Sequence, residues 1–154
     1  MIHVLFVCTG NTCRSPMAEV LFNHWAEVMG MSSRVKAASA GMDALGGEMA
    51  SEHAVKAMAK RGINLVHHHA RSVEEAIPQA DLVLCMSHGQ AQLLRERYPR
   101  FAERIYPLMP YAWGIRTDVE DPYGGNIETY EAVAEKLEET VRSVLQKLED
   151  SGEA

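Results

Sequence analysis

The chain has 154 residues, 47% hydrophobic and 23% charged, which fits one globular domain with a single core and excludes a disordered chain or a disulfide scaffold. Twenty-one acidic against fifteen basic residues leave a net charge of −6, so a polyanion such as duplex nucleic acid meets net repulsion. The longest apolar runs, Val4 to Cys8 and Leu82 to Met86, fall far short of the ~20 residues that cross a bilayer. The opening Met-Ile-His-Val-Leu-Phe-Val-Cys reads as a first strand rather than an export signal, and three cysteines make no disulfide framework. A cytoplasmic protein with reduced thiols is expected, without a nucleic-acid or membrane partner.

Val4 to Val7 is a short buried-strand run that ends in the polar turn Cys8-Thr9-Gly10-Asn11. A helix should follow, with Ser15 as N-cap, Pro16 at its first position, and Leu21, Phe22, Trp25, Val28 and Met29 at helical spacing. Val35 to Ser39 is a second strand. Ser51 opens a helix with an Ala54, Val55, Met58 and Ala59 face, closed by Gly62. Ser72 to Glu75 and Ser87 to Gln90 both have capping-box spacing and flank a third strand at Leu82 to Met86. Ile105 to Leu108 is a fourth.

Pro107 to Gly125 then reads as a connection unusually long for a compact domain, and such loops are often functional. From Ile127 to Glu149, Tyr130, Val133, Ala134, Leu137, Val141, Val144, Leu145 and Leu148 form the apolar stripe of a long helix with a solvated acidic face. Residues 151–154 are expected to fray. Strands alternating with helices predict an α/β fold: a single-domain three-layer sandwich whose four-stranded parallel sheet carries helices on both faces. Ligands of such sheets bind at the strands' C-terminal ends.

The turn after the first strand carries the chemistry. Cys8 and Arg14 stand six positions apart across a loop that runs into a helix start, where backbone N–H groups and the helix dipole make an anion site. Arg14 can grip two phosphate oxygens bidentately, and the same positive field favours the thiolate of Cys8. Gly10 and Asn11 tolerate left-handed backbone. A thiolate attacking phosphorus cannot also protonate the leaving group, so a carboxylic acid is required. Asp121 suits that role, in the long loop with Pro122 extending its backbone and Gly124-Gly125 allowing a turn; Asp118 and Glu120 are rivals.

At these residues the chain resembles the low-molecular-weight protein tyrosine phosphatase family, whose signature is Cys-x5-Arg-Ser near the N-terminus. Ser39-Ala40-Gly41, Asp81 to Met86 and Asp121-Pro122-Tyr123-Gly124 match further motifs in family order, so that residues 1–150 form one phosphatase-like domain. The resemblance implies Cys8 as nucleophile, Arg14 as clamp and Asp121 as general acid. It implies a phosphate-binding loop of Thr9, Gly10, Asn11, Thr12, Cys13 and Ser15, supported by Ser39 and His67. No metal or cofactor is required, and the expected partners are phosphorylated proteins acted on by a monomer.

Thr12 stands where tyrosine-specific members usually carry a bulky aliphatic residue, and the loop resembles the bacterial branch acting on phosphoarginine. A threonine hydroxyl opens space beside the phosphate and offers a hydrogen bond to nitrogen or water. Tyr123 is followed by glycine rather than a second tyrosine, and Met42 to Met49 lack an aromatic on which a phenol ring could stack. Tyr123 and Trp113 remain as aromatic lining. Phosphoarginine hydrolysis through a phosphocysteine is the leading expectation, and phosphotyrosine hydrolysis is the alternative.

Arsenate reduction, which the resemblance also offers, needs a relay of two further cysteines, and Met86 to Arg95 contain none. A non-catalytic phosphate-binding redox sensor is the other alternative. His67-His68-His69 cannot all face one ion in an extended segment, so no metal site is expected there. Cys13, five residues from Cys8, is placed to form a reversible disulfide with it, and Cys85 reads as a buried hydrophobe.

Overall fold

A computed structural model describes residues 1–152. Four parallel strands, β1 (Ile2–Cys8), β2 (Val35–Gly41), β3 (Leu82–Cys85) and β4 (Ile105–Pro107), lie in the order β2-β1-β3-β4. Side chains of a strand alternate between faces, and β1 divides accordingly. Val4, Phe6 and Cys8 pack with α1 (Arg14–Val28), α2 (Glu52–Ala59), α5 (Leu108–Trp113) and α6 (Ile127–Asp150), whereas Leu5 and Val7 pack with α3 (Val73–Ala76) and α4 (His88–Arg97). The result is the expected three-layer sandwich. All eight stripe residues of α6 are buried, and each large apolar side chain so buried contributes roughly 1.5–3 kcal/mol. No helix among the described residues is long and apolar enough to cross a membrane.

The edge strand β2 is closed along its free side, which would otherwise template pairing with another chain. Val35 N–H donates to Met31 O, the Asn23 amide pairs with both backbone groups of Ala37, and Arg71 meets Ser39 O through Nε and Gly41 N–H through its carbonyl. Central β1 sends the chain through α1 to β2 on one side. Its other neighbour, β3, leads through α4 to the opposite edge, so the strand order switches direction at the C-terminal ends of β1 and β3.

Two local expectations need correction. Helix α1 begins at Arg14 with Cys13 as N-cap, two residues earlier than predicted, and Ser15 is a fully buried member of its first turn instead of the cap. The Pro107 to Gly125 connection contains α5, because Pro110 sits in the first turn, where a missing N–H costs nothing, and left-handed Gly114 ends it. The capping box at Ser87 and Gln90 forms on both sides. Of the expected frayed tail, Ser151 and Gly152 form a turn, and residues 153–154 lie outside the described residues.

Candidate active site

Of the five buried polar or charged residues among those described, Asn11, Arg14, Ser15 and Ser39 surround the end of β1, and only Thr140 lies elsewhere. Burying such groups is costly unless they are paired; here Asn11 pairs with Ser15 and Ser39, and Arg14 with Val119 O. Asn11 adopts φ 58°, the one non-glycine residue at positive φ among those described. That turn brings its N–H to 3.3 Å from Cys8 Sγ. Its Nδ2 donates to Ser15 Oγ at 2.8 Å and Ser39 Oγ at 2.9 Å, while its Oδ1 accepts from Arg71 N–H. Ser15 Oγ in turn lies 2.8 Å from Cys8 Sγ, and Ser39 Oγ donates to Glu19. A single amide side chain therefore fixes the loop that shapes the thiol's surroundings.

Cys8, Thr9, Gly10, Thr12, Cys13, Arg14, Asp121 and Tyr123 line one cleft of about 320 Å³. Clefts of about 440 and 600 Å³ lie elsewhere but are lined by no cysteine, so chemistry rather than volume locates the site. Arg14 leaves the first turn of α1, donates through Nη1 to Val119 O at 3.0 Å, and points Nη2 at Asp121 Oδ2, 3.7 Å away. The α1 N-terminus has no side-chain cap and no acidic residue in its first turn, which suits it to an incoming anion. Asp121 stands at the mouth, half-exposed, with Oδ1 accepting from Tyr123 N–H.

The rival acids are placed differently. Asp118 turns away to His88, accepting from its N–H at 2.8 Å, and Glu120 is exposed without lining the cleft. Trp113 does not line it either: α5 holds its indole against α6, donating to Thr140 Oγ1. His67 is exposed, and the histidine at the loop is its neighbour His68, whose Nε2 lies 2.7 Å from Asn11 O. In a run of three histidines the spacing alone does not say which one turns inward. Among the described residues no histidine, cysteine and carboxylate cluster has the arrangement of a metal site.

Several residues at the site carried no usable signal in the sequence. Arg71 and Gln90 reach it only through tertiary contact; Gln90 Nε2 donates to Thr9 Oγ1 at 3.0 Å. Glu19, one helical turn beyond Ser15, was detectable as a polar residue on an apolar helix face. Gly41 is confined by space: a Cβ there would sit 2.8 Å from Thr9 O and 3.0 Å from Asn11 N. Cys13 Sγ is engaged by Tyr130 Oη at 3.3 Å and Ser51 at 3.6 Å, and burial, followed by that thiol contact, pushes the Tyr130 phenol above its usual range. Cys85 is fully buried, and burial raises its thiol to about 12.

Comparison with known proteins gives the same picture. The chain is 40% identical over 147 residues to the Protein-arginine-phosphatase of Bacillus subtilis, covering 96% of this chain and 97% of that one. It is 37% identical to the Protein-arginine-phosphatase of Geobacillus stearothermophilus, with 96% of each covered. It superposes at a TM-score of 0.91 on a YwlE arginine phosphatase variant with a phosphorylated active-site serine, at 39% identity and 96% coverage of both chains. A low molecular weight protein tyrosine phosphatase from T. tengcongensis follows at 0.90 and 42% identity, covering 96% of this chain and all of that one. The family model for low molecular weight phosphotyrosine protein phosphatase matches residues 3–154, and the chain belongs to that family.

Proposed function

We propose that this chain is a cytoplasmic protein phosphatase that hydrolyses phosphoarginine on proteins through a phosphocysteine intermediate. The observation that carries the reading is the meeting, in one cleft, of Cys8 at the floor, Arg14 on the wall and Asp121 at the mouth. The phosphoryl group enters with its oxygens toward the loop amides and Arg14, and the Cys8 thiolate attacks phosphorus in line with the leaving group. Ser15 Oγ and Asn11 N–H, both at the sulfur, are donors that a thiolate accepts. Asp121 gives its proton to the departing guanidino nitrogen, then takes one from the water that cleaves the S–P bond and frees phosphate. Nucleophile, clamp and acid all come from the chain, so activity is expected to persist with a metal chelator present.

Phosphoarginine is favoured as substrate by Thr12 and by the two relatives named as arginine phosphatases. In the cleft Thr12 Oγ1 lies 3.7 Å from Cys13 Sγ, and beside the loop it presents a hydroxyl rather than a bulky aliphatic wall. Phosphotyrosine is the second reading, favoured by Tyr123 on the rim and the T. tengcongensis relative. Steady-state kcat/KM on a phosphoarginine-labelled protein and a matched phosphotyrosine peptide, each with and without chelator, tests both. Preference for phosphoarginine supports the proposal, and equal or reversed preference overturns its substrate assignment. The same loop supports reversible protection: Cys8 oxidised by peroxide would condense with Cys13, which must first leave Tyr130.

A further inference from the structure

The stretch after β3 lacks relay cysteines, yet its first helical turn touches both loops of the cleft. Gln90 accepts from Ser87 N–H through Oε1, completing the capping box, and donates from Nε2 to Thr9 Oγ1 in the nucleophile loop. Two residues earlier, His88 N–H donates to Asp118 Oδ1 at 2.8 Å, with His88 Nδ1 3.4 Å from the same oxygen. His88 is the first residue of α4, where an N–H has no partner within the helix and a carboxylate gains from the helix dipole. Between Gly114 and Gly124 the acid loop has no helix or strand of its own. Besides Asp118, its tethers are at Val119, whose N–H donates to Met86 O and whose carbonyl accepts from Arg14.

We propose that Asp118 is the positioning residue for Asp121. By holding the acid loop to the first turn of α4, which also holds Thr9, it sets the height of the Asp121 carboxyl over Cys8. Asp121 is half-exposed; its Oδ1 accepts from Tyr123 N–H within the same loop, and its one contact across the cleft is Arg14 at 3.7 Å, so the height of its carboxyl follows the placement of the loop. The inference rests on the phosphatase reading. It predicts a loss confined to the step that needs a proton donor, because a displaced acid slows poor leaving groups and spares good ones.

The test is kcat/KM over aryl phosphates from p-nitrophenyl to phenyl phosphate. Asp118→Ala should lose about tenfold with phenyl phosphate and less than about twofold with p-nitrophenyl phosphate, a fraction of what removing a general acid costs. Asp118→Asn keeps an acceptor for the N–H and should recover most of the loss. His88→Pro deletes the same N–H at a helix position that accepts proline, after a Ser87 already extended at φ −140° and ψ 160°. It should reproduce the Asp118→Ala profile, the double variant should be no worse than either single one, and His88→Ala should stay near wild type. Uniform loss across the series, an unaffected Asp118→Ala, or losses that multiply in the double variant would overturn the proposal. A wild-type protein inert toward every ester and toward phosphoarginine would overturn the phosphatase reading and this one with it.

Discussion

Gly41→Ala should damage the site although the new methyl group touches no substrate. Gly41 ends β2 with φ outside the left-handed region, so alanine is acceptable to its backbone and the penalty comes from space alone. The added Cβ would meet Thr9 O at 2.8 Å, Ala44 Cβ at 2.9 Å and Asn11 N at 3.0 Å. Carbon atoms prefer about 3.5–4.0 Å, so the loop of Thr9 and Asn11 must retreat by roughly half an ångström. Two of the three atoms are backbone and none is the free end of a flexible side chain. Overpacking of this kind costs about 1–3 kcal/mol, or very roughly 5 °C in Tm for a domain of this size. A displacement of 1 Å can cost about a hundredfold in rate, so a shift of half that size predicts about a tenfold fall in kcat/KM. Thermal melting and p-nitrophenyl phosphate hydrolysis measure the two effects. Wild-type turnover from a variant that melts lower would refute the argument that Gly41 sets the loop's position.

Replacing Thr12 by isoleucine should shift the kcat/KM ratio from phosphoarginine toward phosphotyrosine by about tenfold, the order expected when a pocket loses one polar contact; an unchanged ratio removes Thr12 from the account of specificity. Alkaline pH should expose Cys85: its buried thiol ionises near 12 while that of the unfolded chain ionises at its ordinary 9.0. Because the folded value is raised, the contribution is complete below pH 9 and is lost as pH climbs toward 12, at about 1.4 kcal/mol per unit. Between pH 9 and 10, below the range where the raised Tyr130 phenol contributes, urea melts should show that slope in wild type and not in Cys85→Ala, and equal slopes would contradict it. After peroxide and then a thiol reductant, wild type should regain activity while Cys13→Ala, with no second thiol, advances to irreversible oxidation. Full recovery of that variant would end the protective role.

Local order in this chain was legible because it depends on neighbours in sequence. The Val4 to Val7 run, the Ser87 to Gln90 capping box and the apolar stripe of α6 each follow from spacings of a few residues, and all three form as read. The turn that gathers Cys8, Asn11, Arg14 and Ser15 was legible for the same reason, since these residues occupy one turn and a helix start. The six-residue α5 was not, because Pro107 and Pro110 read as loop while tolerance of a first-turn proline depends on where the helix begins.

Only the tertiary structure decided which distant groups complete the site. Arg14 meets Val119 across 105 residues, and Asn11 meets Arg71 across 60. Which histidine of three turned inward is marked by the contact of His68 with Asn11 O, and which carboxylate of Asp118, Glu120 and Asp121 reached the cleft depended on the loop's contacts with Met86 and α4. Periodicity reports the face a side chain occupies but not the height at which two loops from different strands come together. That height is fixed by contacts such as Gln90 to Thr9 and His88 to Asp118, which leave no pattern along the chain.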